Sequence, residues 1–330
     1  MNDGDAAGET RLSPAGDYFP IGDHRGVART ASPARGGTTP RGRPGEPELL
    51  RVMTWLRPRD YVLAHLLDQH ATLTTPQITA VLFTSESRAR ARLYRLRGLG
   101  WVGCFTSVRF RSRLPMHWIL GPAGAIYAAH YQGRPPPTPR TLRHRAEAIA
   151  ASAHLAHTDG ANQFFIDLLA HARATPGARL ARWWSPARAA AATGRRVHPD
   201  GHGVWEVDGR QVGFWLEHDT GSETIGRLID KIEPYRRLRR DGGPDYPLLF
   251  HLPNAAREAN MHGRLNGRVA ELGVLLATSC HEHDPSGRVW KIVGNGPGRV
   301  RLADLPSRPG LAGPYHPGPP TPDEDPLRAM

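Results

Sequence analysis

The stretch "GVWEVDGRQVGFWLEHDT", residues 203–220, constrains this chain more than any other. Two apolar runs flank an Asp-Gly pair, the residues that take up the positive φ angles of a two-residue hairpin turn, so the segment reads as two paired antiparallel strands. The second strand ends on acids. Alternation places Glu217 and Asp219 on one face and His218 on the other, and the hairpin carries Asp200, in "HPDG", back to the same end. Carboxylates at the end of a core strand need a partner. Two or three converging beside a helix start suit Mg²⁺ or Mn²⁺, and such an ion polarises a phosphodiester and activates a water. Asp200 and Glu217 are the expected metal ligands, with Asp219 assisting. The plainer reading makes Asp200-Gly201 a turn and Asp219 with Thr220 a helix cap.

The elements around the hairpin give an α/β domain with a mixed sheet over residues 142–305. A long helical region, "RHRAEAIAASAHLAHTDGANQFFIDLLAHARA", breaks near Gly160, and "ARLARWWS" is a first strand. After the hairpin, "TGSE" has the spacing of a capping box, which starts a helix at Thr220 that Pro234 kinks or ends. "YPLLFHLP" is a buried strand, residues 255–272 a helix and "GVLLATS" a last strand.

Upstream, residues 57–131 show a different pattern. "RDYVLAHLLDQH" repeats Tyr61, Val62 and Leu66 at helical spacing, and "TTPQITAVLF" opens with a threonine cap and Pro76 in its first turn. "SESRARARLYRLRGLG" is a third helix from Ser85 to Gly98 or Gly100. "WVGCFTSVRFRSRLPMHWIL" then forms two strand-like halves about a basic turn. Three helices followed by a hairpin is the order of a winged helix-turn-helix. Ala89, Leu93 and Leu96 turn the third helix inward. Arg88, Arg92 and Arg95 lie along one flank of that stripe and Arg90 and Arg97 along the other, with Arg109, Arg111 and Arg113 in the hairpin turn. Guanidiniums in that density neutralise phosphates or fork onto guanine edges; the plainer alternative is a solvated basic face.

Residues 1–47, 132–141 and 306–330 are rich in Pro, Gly and charge without periodicity, and read as a disordered basic arm, a semi-rigid linker and a disordered tail. The formal net charge of +12 favours an acidic partner such as double-stranded DNA. Two cysteines exclude a disulfide framework and suit a reducing cytoplasm. The absence of an apolar run of about 18 residues excludes a membrane partner. Of 43 basic residues only Lys231 and Lys291 are lysines, so a lysine that persists marks a place where arginine does not serve.

The order helix, strand, "PD", hairpin, "EHD", helix resembles the PD-(D/E)xK nuclease superfamily. That resemblance implies a restriction-endonuclease-like fold in which the first aspartate and the second acid hold the metal and a lysine two residues on contacts the water or phosphate. Asp200 and Glu217 match. Asp219 stands where the lysine belongs, and Lys231, on the next helix, is the candidate to reach back in its place. More broadly "ATLTTPQITAVLF", "RARLYRLRGLGWV", "HWILGPAGA", "AHTDGANQFF", "VHPDGHGVWEVDGRQVGFWLEHDTG" and "KIEPY" resemble the replication-relaxation family of actinobacterial and plasmid-associated proteins. This implies DNA-associated work in plasmid replication and relaxation, with a catalytic set of Asp200, Glu217, Asp219 and Lys231 if the domain is a Mg²⁺- or Mn²⁺-dependent endonuclease. Two alternatives stay open: an accessory factor using a nuclease-like fold as a binding or homodimer module, and a plain transcriptional regulator dependent on Arg92 and Arg95.

Minor candidates are weaker. His281 and His283 in "HEHD" form a relaxase-like pair only if they flank an apolar residue on a strand, and Glu282 sits between them. His154 and His157 lie one helical turn apart, one of Trp183 and Trp184 is available to stack on a base, and "GNGPGRVR" lacks a phosphate loop's ending.

Overall fold

The computed structural model describes residues 46–106, 115–308, 313 and 315–328. The basic arm up to residue 45 and the hairpin arginines Arg109, Arg111 and Arg113 lie outside the described residues.

The amino-terminal region begins with α1 (Glu46–Met53) and α2 (Pro58–His70), whose Val62, Leu63, Leu66 and Leu67 are buried. A two-residue strand β1 (Leu73–Thr74) leads into α3 (Thr75–Leu82). Thr74 and Gln77 cap that helix reciprocally: the Gln77 amide donates to Thr74 Oγ1, and the Thr74 amide to Gln77 Oε1 at 2.9 Å. Then come α4 (Glu86–Gly98), capped by Ser85, and the strands β2 (Val102–Phe105) and β3 (His117–Leu120). The three strands form an antiparallel sheet in the order β1-β3-β2, and Ala89, Leu93 and Leu96 of α4 are fully buried, as their spacing predicts. Next are α5 (Pro122–Tyr131) and α6 (Pro139–Ala151).

The helical break expected at Gly160 falls at residues 152–154 instead, and α7 (Leu155–Ala174) runs unbroken through the glycine. A Cβ at Gly160 would lie 2.1 Å from His218 Nε2, so glycine there admits the sheet rather than ending the helix. A second close approach occurs at Gly201, where a Cβ would meet the Phe165 ring at 2.5 Å. Together they seat α7 directly on the strands that carry the acids.

Seven strands make the second sheet: β4 (Arg179–Trp184), β5 (Gly201–Val207), β6 (Arg210–His218), β7 (Leu248–Leu252), β8 (Leu276–Cys280), β9 (Arg288–Ile292) and β10 (Arg299–Arg301), in the order β10-β9-β8-β7-β6-β5-β4. The expected hairpin is β5–β6, with Val207 paired to Arg210 and positive φ at Asp208 (53°) and Gly209 (71°). β6, β7 and β8 are parallel and the remaining pairs antiparallel. β9 and β10 were not legible as strands, since "RVWKI" is short and half polar.

Helix α8 (Pro186–Ala192) follows β4. The helix predicted from Thr220 starts later: α9 (Ile225–Asp230) is capped by Thr224, and α10 (Ile232–Arg240) follows at once. Their junction is where a proline at 234 forces it, because its ring would clash with the carbonyl of residue 230. α11 (Ala255–Leu265) and α12 (Val269–Leu272) complete that layer. One apolar core lies between α7 and the sheet and continues into the amino-terminal helices; a second lies between the sheet and α9 to α12. The two regions are tied by polar contacts as well: Asn162 Nδ2 donates to Thr72 O at 3.0 Å and Gln77 Nε2 to Asp159 O at 2.9 Å.

Of the segment expected as a disordered tail, residues 315–328 are described and pack against β4. Arg182 Nε donates to Glu324 Oε2 at 2.8 Å and Trp184 Nε1 to Glu324 Oε1 at 2.8 Å, all three side chains being buried. Composition gave no sign of a pairing between positions so far apart. Among the described residues, no helix is long and apolar enough to cross a membrane.

Candidate functional site

Strand alternation in β6 turns Glu217 towards α9 and α10 and His218 towards α7. Pairing of Gly201 with Leu216 and a bond from the Asp200 amide to Leu216 O (2.8 Å) bring Asp200 beside Glu217. The helix break at Pro234 presents Lys231 to the same spot. Its Nζ lies 3.2 Å from Glu217 Oε2 and 3.1 Å from Glu223 Oε2. So Asp200, Glu217 and Lys231, far apart in sequence, lie together at the end of β6.

Two groups not anticipated there complete the cluster. His157, on the first turn of α7, places Nε2 2.8 Å from Asp200 Oδ1, and Tyr235 of α10 donates its hydroxyl to Glu217 Oε1 at 2.6 Å. Asp200 Oδ2 accepts the His218 amide at 2.8 Å. Sequence spacing pairs His157 only with His154, which is exposed; nothing local in "AHT" reveals an aspartate 43 residues on.

The electrostatics follow from burial and like charge. Burial, reinforced by the Asp200 charge, pushes the Glu217 carboxyl up to about 7. The hydrogen bond to Asp200 raises His157 above its ordinary value against burial. Burial pulls Lys231 down, but Glu217, Glu223 and Asp200 outweigh it and leave it raised. Burial and then Glu217 hold the Tyr235 phenol well above its usual range, so it remains a donor. A carboxylate that a neighbouring carboxylate makes hard to ionise is one that a further cation stabilises. Here the Lys231 ammonium already supplies one cation, and Asp200 and Glu217 are the two carboxylates that could hold another.

Asp219 is placed elsewhere. Arg257 of α11 engages both its carboxylate oxygens, and Oδ1 also accepts the Gly221 amide at 2.9 Å. It anchors the loop after β6 to α11 rather than joining Asp200 and Glu217.

On the helix α4, Arg88, Arg90, Arg95 and Arg97 are exposed. Arg90 pairs with Glu86 one turn away, and Arg95 lies over the Trp55 ring at 5.2 Å. Arg92 is committed to the fold: it pairs with the buried Asp60 of α2 and donates to Trp55 O at 2.9 Å. Sequence periodicity places Arg92 on a flank but not its counter-charge. Both Trp183 and Trp184 are buried, Trp183 stacked between His70 and Phe165 and Trp184 beneath Arg182, so neither is presented to a base.

Residues 65–247, more than half of the chain, match the family model described as Replication-relaxation. The chain belongs to the replication-relaxation family. No curated protein and no solved structure matches it. The replication-relaxation match spans α3, α4, the small sheet, α7 and β4 to β6, and so takes in His157, Asp200, Glu217, Lys231 and Tyr235; β7 to β10 lie beyond it.

Proposed function

We propose that this replication-relaxation protein binds plasmid DNA through a winged helix-turn-helix and nicks or cleaves it with a PD-(D/E)xK-like site. The order helix, β1, helix, helix, β2, β3, with β1 closing onto β3, supports the first part, because it leaves the exposed face of α4 free to enter a major groove. On that face Arg88, Arg90, Arg95 and Arg97 meet phosphates or base edges, while Arg92 holds the helix in place.

The observation that carries the second part is the convergence of His157, Asp200, Glu217 and Lys231 at one strand end. Asp200 and Glu217 would hold a Mg²⁺ or Mn²⁺ ion, which when bound supplies the charge that polarises a phosphodiester. Tyr235 and His157 orient the two carboxylates through hydrogen bonds to Oε1 and Oδ1. Lys231, partly exposed, offers its ammonium to a non-bridging phosphate oxygen. Hydrolysis adds water to phosphorus, releases a proton from that water and returns one to the expelled alkoxide, and His157, held on Asp200 and raised by that hydrogen bond, is placed to pass a proton between them.

The test is conversion of supercoiled plasmid to nicked circles by the purified chain with Mg²⁺ or Mn²⁺, beside Asp200→Ala and Glu217→Ala. Metal-dependent nicking that both substitutions abolish is expected. A second reading has its own support: all four carboxylate oxygens of Asp200 and Glu217 already hold protein partners, as in a nuclease-like fold kept for binding. Intact plasmid, with DNA binding retained in all three proteins, would decide for that reading.

A further inference from the structure

Behind β6, on the α7 side of the sheet, three histidines meet. His218 and His251 are paired across the parallel strands β6 and β7, and His281 follows β8, its amide bonded to Leu252 O at 2.9 Å. One nitrogen from each ring lies within 4.8 Å of the others. The His281 ring centroid is 4.4 Å from that of His218 and 4.6 Å from that of His251. This is a polar pocket inside an otherwise apolar layer, roofed by Gly160 and Phe164.

The pocket lacks partners for its polar atoms. His218 and His251 are 5% and 4% exposed, yet His218 Nδ1, both ring nitrogens of His251 and the adjacent Ser279 Oγ make no hydrogen bond. A buried polar atom left unpaired destabilises the fold. One such nitrogen on His251, with one on each of His218 and His281, is in reach of a shared ligand. The donors are imidazoles without a carboxylate among them, which suits a nitrogen-preferring transition-metal ion and disfavours Mg²⁺ or Ca²⁺. His281 Nε2–H donates to His251 O at 3.0 Å, which fixes its tautomer and places the lone pair on Nδ1. An open groove of about 390 Å³, lined by Asp167, His171, Glu282 and Asp284, reaches His281 and gives an ion a way in.

We infer that His218, His251 and His281 form a binding site for one Zn²⁺-class ion, with Ser279 Oγ or a water at the fourth position. The ion ties together the ends of β6, β7 and β8. His218 lies within the family match, and His251 and His281 lie beyond it. The site is independent of the Asp200 and Glu217 cluster on the other face, although the His218 amide links the two.

The test uses the untagged full chain, stripped with chelator and then titrated with Zn²⁺, and with Co²⁺ as a spectroscopic probe. One ion per chain, a tetrahedral Co²⁺ spectrum without a thiolate band, and a raised unfolding temperature are expected. His281→Ala, a change at a half-buried loop position, weakens Zn²⁺ binding by on the order of 100-fold or more. Lys231→Met and His283→Ala leave it unchanged, which separates this site from the nuclease reading and from the neighbouring group Cys280, Glu282 and His283. Absence of a stoichiometric ion, or full affinity in His281→Ala, overturns the proposal. Should that variant not fold, the spectrum of the unsubstituted protein decides: a thiolate band assigns the ion to Cys280 and sinks it.

Discussion

The main-chain amide of His218 donates to Asp200 Oδ2 at 2.8 Å. Because β6 ends there, one residue couples two clusters on opposite faces of the sheet: its backbone holds an acid, and its ring joins two other histidines. Each face then makes separate demands that substitution resolves.

Lys231→Met lowers plasmid nicking by on the order of 100-fold, the range of a lost phosphate or proton-handling contact. Stability changes by only about 1 kcal/mol, since Lys231 is partly exposed and Glu217 takes up a proton instead of standing as an unpaired charge. Nicking rates and urea midpoints, measured on the same preparations, check both halves.

Arg92 and Arg95 separate structure from recognition. Arg92→Ala strands the buried Asp60 carboxylate and costs about 3–5 kcal/mol, seen as a lowered unfolding midpoint. Arg95→Ala leaves the midpoint within about 0.5 kcal/mol and weakens DNA binding with a shallower salt dependence. Equal destabilisation by both substitutions would contradict this division.

Acid weakens the fold through two fully buried histidines. Burial holds His70 and His202 down to about 3, against an ordinary value of 6.5. The unfolded chain gains a proton on each below about pH 6.5 while the folded chain does not. Their contribution is complete above that pH and is lost as pH falls towards about 3. Each accounts for on the order of a few kcal/mol, and His70→Phe, which keeps a ring against Trp183, flattens the acid limb of a stability–pH curve.

Glu217 acts in the opposite direction in metal-free protein. Its folded pKa of about 7 exceeds the ordinary 4.5, so the folded state holds the proton more tightly. Stability from this group is greatest below about pH 4.5 and is lost as pH rises through about 7. Glu217→Gln removes that slope, measurable as denaturation midpoints in chelator at about pH 5 and about pH 8.

Much of this could be read in the sequence where the signal is local. The Asp-Gly turn, the Thr74 and Ser85 caps and the inward stripe of α4 all follow from neighbours within a few residues. The approach of Asp200 to Glu217 followed from the hairpin. What could not be read depends on partners chosen across the fold: Arg257 for Asp219, Asp60 for Arg92, His157 for Asp200. The three histidines come from three strands joined by helical crossovers, and no spacing rule relates 218, 251 and 281. The helix expected at Thr220 starts instead at Ile225, capped by Thr224, and Glu223 is engaged by Lys231.

Arg182 and Glu324 are 142 residues apart, and both are buried. During synthesis the β4 guanidinium emerges long before its counter-charge, while β5 and β6 are ready to pair beside it. Until residue 324 is in place that guanidinium has no counter-charge, and burying it alone costs about 3–5 kcal/mol. The carboxyl-terminal segment is therefore what allows this edge of the sheet to close over a charged side chain.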